Sequence, residues 1–83
     1  MDRGDLQIGM ISKTVDCVGQ KCPLPVLRAR KALGLQPKGA LVEVLSNDPV
    51  ALLDIPHMAR ECGHELVDQS VDGEVARFVI RRG

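Results

Sequence analysis

The first feature of this sequence that could do chemistry is a cysteine placed directly before two alternating prolines. Cys22 precedes Pro23 and Pro25, and a segment with apolar periodicity follows. Proline is tolerated in the first turn of a helix because the N–H groups there have no acceptor within the helix. The pattern therefore predicts that Cys22 lies at or just before a helix N-terminus. The helix dipole should stabilise a thiolate there and lower the pKa of the thiol.

Two further cysteines and two histidines leave other chemistries open. Cys17 lies close enough in sequence to act as a resolving thiol for Cys22, although a small packed residue at a strand end is the favoured interpretation. Cys62 shares a helical stripe with apolar residues and is expected in the core. A zinc site built from the three cysteines and His64 is disfavoured, because a Cys-x4-Cys spacing is unusual for zinc and the prolines would have no role. His57 and His64 are expected to be surface or hydrogen-bonded structural residues, and His64, after the glycine that ends a helix, is a place for a cation.

Length and composition restrict the class of protein. The chain has 83 residues, 45% of them hydrophobic and only Phe78 aromatic, which is typical of one small globular domain with an aliphatic core. Residues 1–10 are short, polar and expected to form a flexible tail before a single domain at 11–83. No run is long and apolar enough to predict a membrane span, and residues 1–10 are not expected to act as a secretory segment, because they lack its apolar run. An odd number of cysteines then favours the reducing cytoplasm.

The net charge is zero, but the charges are segregated along the chain. Residues 13–38 carry six basic side chains against one acidic, whereas residues 39–76 carry eight acidic side chains against one basic. If the first helix lay beside the last strand, one basic face would surround Cys22 and suit an acidic protein, an anionic sulfur species or RNA. Direct RNA binding is not expected, because stacking aromatic residues are missing. The expected partner-binding residues are Arg28, Arg30, Lys31, Arg77 and Arg81.

The elements that must position these residues follow the order β-α-β-α-β-β. Ile11 to Asp16 is a strand candidate, and a helix with Val26, Ala29 and Leu33 on its buried face follows Pro23. Residues 40–45 form a nearly continuous apolar run, typical of a central strand. Asp48 and Pro49 indicate the cap and first residue of a second helix, whose stripe contains Leu52, Ile55, Ala59 and Cys62. Pro56 predicts a kink or a restart with Asp54 as a second cap.

The last third of the chain reads as two strands, 65–71 and 74–81, joined at Asp72-Gly73. The crossover between the first two strands should be parallel and the terminal hairpin antiparallel. We therefore expect an α/β fold of the two-layer sandwich type: a four-stranded mixed sheet with two helices on one face.

The stretch Asp16-Cys17-Val18-Gly19-Gln20-Lys21-Cys22-Pro23-Leu24-Pro25 resembles the Asp-x-x-Gly-x-x-Cys-Pro-x-Pro signature of the TusA/SirA family of small sulfur carriers. Segments 47–49, 54–56 and 63–66 resemble that family in the same order and spacing. The resemblance runs from about residue 11 to the C-terminus. It implies a two-layer sandwich like the C-terminal domain of translation initiation factor three.

The resemblance also implies a function. Cys22 would carry a persulfide, taking sulfane sulfur from a cysteine desulfurase or rhodanese-like donor and passing it to a downstream acceptor protein. Relatives serve tRNA thiolation, cofactor sulfuration or sulfur oxidation. No cofactor or metal is implied. Gly19, Lys21, Pro23 and Pro25 would support Cys22 at the helix N-terminus.

The residues are compatible with this chemistry, since sulfane sulfur transfer needs a nucleophilic thiolate and an accessible persulfide. No Ser-His-Asp constellation, phosphate-binding loop or dinucleotide fingerprint competes with it. Two alternatives stay open. One is a non-catalytic regulatory or adaptor domain that binds protein or RNA through the basic face. The other is a thiol–disulfide redox domain using Cys17 and Cys22.

Overall fold

A computed structural model describes residues 11–83 and contains two helices and one four-stranded mixed sheet. In chain order the elements are β1 (Ile11–Asp16), α1 (Leu24–Gly34), β2 (Leu41–Ser46), α2 (Ala51–Glu61), β3 (Glu65–Asp72) and β4 (Val75–Arg81). This confirms the predicted order and fold class. The predicted tail, residues 1–10, lies outside the described residues. Within residues 11–83, neither helix has the length and apolar character needed to cross a membrane.

The strands are arranged in the order β1-β2-β4-β3, so β2 and β4 are central. β1 pairs with β2 in parallel, while β4 is antiparallel to both β2 and β3. The near-continuous apolar run of β2 reflects this position, because a central strand is shielded on both edges and largely on both faces. The β3–β4 turn centres on Gly73 and Glu74, one residue later than predicted, and Gly73 has a φ of 62°.

Both helices pack on one face of the sheet, and the core lies between the two layers. Alternate residues of the strands point to opposite faces, and those facing the helices are apolar, including Val42, Val44, Phe78 and Ile80. From α1 the core receives Ala29, Ala32 and Leu33, and Val26 packs against it half-buried. The predicted buried face of α1 is therefore confirmed.

The second helix differs from the prediction in three respects. It begins at Ala51 rather than Pro49, because residues 48–51 first form a turn in which the Ala51 N–H donates to the Asp48 carbonyl at 3.0 Å. It continues through Pro56 to Glu61 without a restart, so Asp54 is not a second cap. Its buried residues are Ala51, Ile55, Met58 and Ala59. Leu52 and Cys62, both expected on the buried stripe, are exposed.

Candidate functional site

Cys22 lies in the loop between β1 and α1, two residues before the helix begins. Pro23 is the N-cap residue, Leu24 starts the helix and Pro25 occupies its first turn. The Cys22 thiol is free and exposed. The predicted position just before a helix N-terminus is therefore observed, with Pro23 exposed and Pro25 buried beneath the first turn.

The backbone of Cys22 is held by an aspartate from the other side of the sequence. The Cys22 N–H donates to Asp48 Oδ2 at 2.5 Å, and the second oxygen of the same carboxylate accepts the Val50 N–H at 3.1 Å. The Asp48 N–H in turn donates to the hydroxyl of the buried Ser46 at 3.1 Å. Asp48 thus satisfies the turn before α2, as an Asx residue does, and ties that turn to the cysteine loop.

A second carboxylate faces the sulfur itself. Cys22 Sγ lies 3.4 Å from Asp54 Oδ2, in the geometry of a thiol that donates a hydrogen bond to a carboxylate. This bond raises the pKa of Cys22 above its ordinary value, with smaller contributions from partial desolvation and from the charges of Asp54 and Asp48. The predicted lowering of this pKa is therefore wrong. The helix dipole acts on the thiol, but a carboxylate in contact with it favours the protonated form more strongly.

Side-chain and backbone acceptors also fix the loop that precedes Cys22. Gly19 has a φ of 89°, a conformation that favours glycine, and its N–H donates to Asn47 Oδ1 at 2.9 Å. Arg28 of α1 reaches back with Nη1, which donates to the Asp16 carbonyl and to Gln20 Oε1, both at 2.8 Å. Arg28 therefore clamps the loop. Lys21 is exposed beside Cys22, and it lines a shallow groove of about 270 Å³ with Asn47, Asp48 and Pro49.

Cys17 lies at the end of β1 and is fully buried within the core. Its N–H donates to the Leu45 carbonyl at 2.8 Å, extending the parallel pairing by one residue. Burial is the main cause that raises the pKa of its thiol, partly offset by Arg28. These features agree with a packed residue and disfavour a resolving thiol, which must reach the surface to react.

Cys62 and His64 lie at the far end of α2, away from its N-terminal end, where Asp54 faces Cys22. Cys62 is exposed beyond the last helical residue, so its predicted place in the core is wrong. His64 Nδ1 accepts the N–H of Gly83 at 3.0 Å, and burial followed by the charge of Arg82 lowers its pKa. A neutral imidazole is favoured there, in contrast to the predicted cation. Among residues 11–83, no group of three or more His, Cys, Asp or Glu side chains is arranged to hold a metal ion.

The basic residues do not form one face around Cys22. Arg30 and Lys31 are exposed on α1. Arg77 and Arg81 alternate with Phe78 and Ile80 along β4, so they point to the sheet face away from the helices. On that face Arg77 pairs with Glu43 and Asp68, and Arg81 pairs with Glu65. The expectation of a shared basic face formed by the first helix and last strand is therefore not met.

Exposed apolar side chains lie on the first turns of both helices. On α1, Leu24 and Leu27 are about half exposed, at 47% and 52%. On α2 and the turn before it, Leu53 is 76% exposed and Val50 43%. Leu53 directly precedes Asp54 in sequence, and Leu24 lies two residues after Cys22. We call these four residues the apolar rim.

Sequence reasoning missed the roles of Asp48, Asp54 and Asn47. Segments 47–49 and 54–56 carry part of the family resemblance, but the sequence pattern predicts only helix caps for the two aspartates. A cap is a local role that needs only neighbouring residues. Contact with a cysteine 26 or 32 residues away depends on how the two helices pack, and spacing alone does not reveal it.

Comparison with known proteins agrees with the fold and the cysteine loop. Residues 13–82 match the profile of the family described as Sulfurtransferase TusA. A protein of Archaeoglobus fulgidus, whose name gives it as a candidate sulfur carrier, is 44% identical over 83% of this chain and 91% of its own length. The sulfur carrier protein TusA of Allochromatium vinosum is 34% identical over 82% of this chain and 90% of its own.

Among solved structures, the SirA-like protein of Desulfitobacterium hafniense superimposes with a TM-score of 0.75 at 34% sequence identity. The match covers 86% of this chain and 97% of that protein. The profile match, at residues 13–82, contains both helices, the cysteine loop, strands β2 to β4 and most of β1. On these findings the chain belongs to the sulfurtransferase TusA family.

Proposed function

We propose that this protein is a sulfur carrier that accepts a sulfane sulfur as a persulfide on Cys22 and passes it to an acceptor protein in the cytoplasm. The observation that carries the proposal is the exposed, free thiol of Cys22 at the start of α1, held by a loop whose backbone is fixed by Asp48, Asn47 and Arg28. A carrier needs a sulfur that other proteins can reach and that its own fold holds in place.

The reaction needs little from the protein beyond that sulfur. In loading, the Cys22 thiolate attacks the outer sulfur of a donor persulfide, a new S–S bond forms on Cys22, and the donor leaves as a thiolate. In delivery, an acceptor thiolate attacks the outer sulfur and Cys22 leaves. Both steps exchange one S–S bond for another, so no external oxidant is required.

We infer that the partners dock on the helix layer. The donor is a cysteine desulfurase or rhodanese-like protein, and the acceptor is the next protein of a sulfur relay. The apolar rim lies at the N-terminal ends of the two helices, and Arg30 and Lys31 are exposed further along α1. Apolar surface bordered by charge is typical of protein interfaces. Arg77 and Arg81 are not part of this surface, because they pair with carboxylates on the other face.

Mass spectrometry of the intact protein tests the proposal. After incubation with a persulfide donor and removal of the donor, the protein should gain the mass of one sulfur atom. Cys22→Ser should abolish the gain. Cys62→Ser is the matched control, since Cys62 is the other exposed cysteine of the described residues, and this variant should retain it. A gain that persists in Cys22→Ser would overturn the assignment.

The two alternatives make different predictions. A regulatory or adaptor domain would keep its cellular activity in Cys22→Ser, because its binding surface would be intact. A Cys17–Cys22 redox domain would form a disulfide with a potential in the cytosolic range and take up no sulfur. The complete burial of Cys17 weighs against the second alternative.

A further inference from the structure

Two carboxylates converge on Cys22 from outside its own loop. Asp54 Oδ2 lies 3.4 Å from the sulfur, and Asp48 Oδ2 lies 2.5 Å from the amide nitrogen of the same residue. A bare helix N-terminus attracts anions through its free N–H groups and its dipole. Here an anion that approaches the sulfur instead meets two fixed negative charges.

Five amides in and just after the loop already have acceptors. Val18 N–H donates to Asp16 Oδ1 at 3.0 Å, Gly19 N–H to Asn47 Oδ1 at 2.9 Å, and Cys22 N–H to Asp48. The amides of residues 20 and 24 donate to carbonyls of the loop itself at 3.0 Å. These five N–H groups are thus not free to offset the carboxylate charge for an incoming anion.

We propose that Asp54, supported by Asp48, is a specificity-determining residue that disfavours small anionic sulfur species, such as thiosulfate and hydrodisulfide, as direct sulfur sources for Cys22. Sulfur loading is thereby biased towards donors that bring an uncharged or protein-bound sulfane sulfur. This inference rests on the proposed carrier function and defines its substrate class.

The disfavoured reactions are chemically feasible, so the repulsion affects which sulfur source reacts with Cys22. With thiosulfate, the Cys22 thiolate would bond to the outer sulfur and sulfite would leave with the electron pair. With hydrodisulfide, the thiolate would bond to one sulfur and hydrosulfide would leave. Each step is balanced, and each requires a small anion to come within bonding distance of a sulfur that Asp54 contacts.

The expected size of the effect follows from Coulomb's law. A singly charged anion about 5 Å from a carboxylate in a water-like dielectric is repelled. The repulsion lowers the concentration of the anion at that point about fourfold. Added salt should remove most of this repulsion, because the screening length falls from about 10 Å at 0.1 M to about 3 Å at 1 M.

Paired alkylating agents isolate this repulsion from thiol reactivity. Iodoacetamide and iodoacetate form the same type of thioether and release iodide, but only iodoacetate is an anion. Any change in the pKa of Cys22 alters both rates together, so the ratio of the two rates reports the electric field at the sulfur. The measurement uses the Cys62→Ser background, in which Cys22 is the remaining exposed cysteine of residues 11–83.

The folded protein should prefer iodoacetamide more strongly than the same chain does in denaturant. Asp54→Asn should lower that preference about fourfold at low salt, and 1 M salt should lower it in the parent protein. Glu61→Gln, the same type of change at the other end of α2, should leave it unchanged. Relative to its rate with iodoacetamide, Asp54→Asn should likewise load faster from hydrodisulfide, by about the same factor.

Equal ratios in folded and denatured chains, or a ratio insensitive to both Asp54→Asn and salt, would overturn the inference. The salt series uses no substitution at Asp54, so it decides the question even if Asp54→Asn does not fold. Alkylation does not depend on persulfide formation. If the carrier function fails, sulfur uptake will be absent while the alkylation ratio still responds to Asp54→Asn and to salt. If this inference fails, sulfur uptake will occur but the alkylation ratio will not respond.

Discussion

At the scale of single residues, the site is a thiol whose reactivity is restrained by a neighbouring carboxylate. The sequence indicates correctly where Cys22 lies relative to the helix, because proline restricts the backbone locally. It could not indicate the protonation preference of the thiol. That preference is determined by Asp54, which is 32 residues away and reaches the sulfur only through the packing of α2 against α1.

The pKa of Cys22 should lie above the ordinary value of about 8.5 for a cysteine, because its thiol donates to Asp54. Thiolate absorbance measured against pH should therefore rise later for Cys22 than for an unstructured cysteine. Asp54→Asn should move the rise to lower pH, whereas Glu61→Gln should leave it in place. A transition in the parent protein below the ordinary value would contradict the assigned hydrogen bond.

Cys17 is expected to matter for stability and not for sulfur uptake. Cys17→Ser puts a hydroxyl into a fully buried site, which should cost about 1–3 kcal/mol of unfolding free energy if the hydroxyl finds no partner. Urea denaturation measures this loss, and Cys17→Ala provides a variant without the hydroxyl. Both variants should still gain one sulfur on Cys22. Loss of uptake in a folded Cys17 variant would revive the resolving-thiol interpretation.

At the scale of elements, one turn of α2 both packs into the core and places a carboxylate beside Cys22. Ile55 points into the core and is fully buried, while its neighbour Asp54 faces Cys22 and Leu53 is largely exposed. The sequence predicts the helix and its buried Ile55 from periodicity. The exposure of Leu52 and Cys62 was not predictable, because the later start at Ala51 and the packing partners decide which side of the stripe is covered.

Substitutions of adjacent α2 residues should separate packing from surface. Ile55→Ala should lower the unfolding free energy by about 2–5 kcal/mol, since it removes a buried aliphatic side chain from the core. Leu53→Ala should change it by less than about 0.5 kcal/mol, because that side chain is exposed. Chemical denaturation of both variants checks the assignment. Equal losses would mean that the face of α2 against the sheet has been misassigned.

At the scale of the whole molecule, the two faces of the sheet are covered differently: one by the helices and the other by charged side chains. The helices cover one face with an aliphatic core around Phe78. On the other face, Arg77 bridges Glu43 and Asp68, and Val79 nevertheless remains fully buried. The order of elements could be predicted from the sequence because turn and cap signals are local. The pairing of basic β4 residues with carboxylates could not, since it depends on cross-strand register.

His64, which accepts the N–H of the last residue, Gly83, should make the unfolding free energy depend on pH. Burial and Arg82 lower the pKa of His64, so the unfolded state binds the proton more readily than the folded state. The contribution of His64 to the unfolding free energy is complete above the pKa of histidine in the unfolded state, about 6.5. It is lost as the pH falls below that value. Urea midpoints measured from pH 7.5 to 5 should fall less in His64→Asn than in the parent, with His57→Asn as control. Identical pH profiles for His64→Asn and the parent would contradict this contribution.

The carrier account is tested most directly by following a labelled sulfur through one loading and one delivery. The protein would be loaded from a donor persulfide with a radiolabelled outer sulfur, separated from the donor, and mixed with an acceptor thiol. Peptide mapping should find the label first on the Cys22 peptide and then on the acceptor, with Cys22 returned to the thiol. Label on the Cys62 peptide, or label that stays on Cys22 when the acceptor is in excess, would contradict the account.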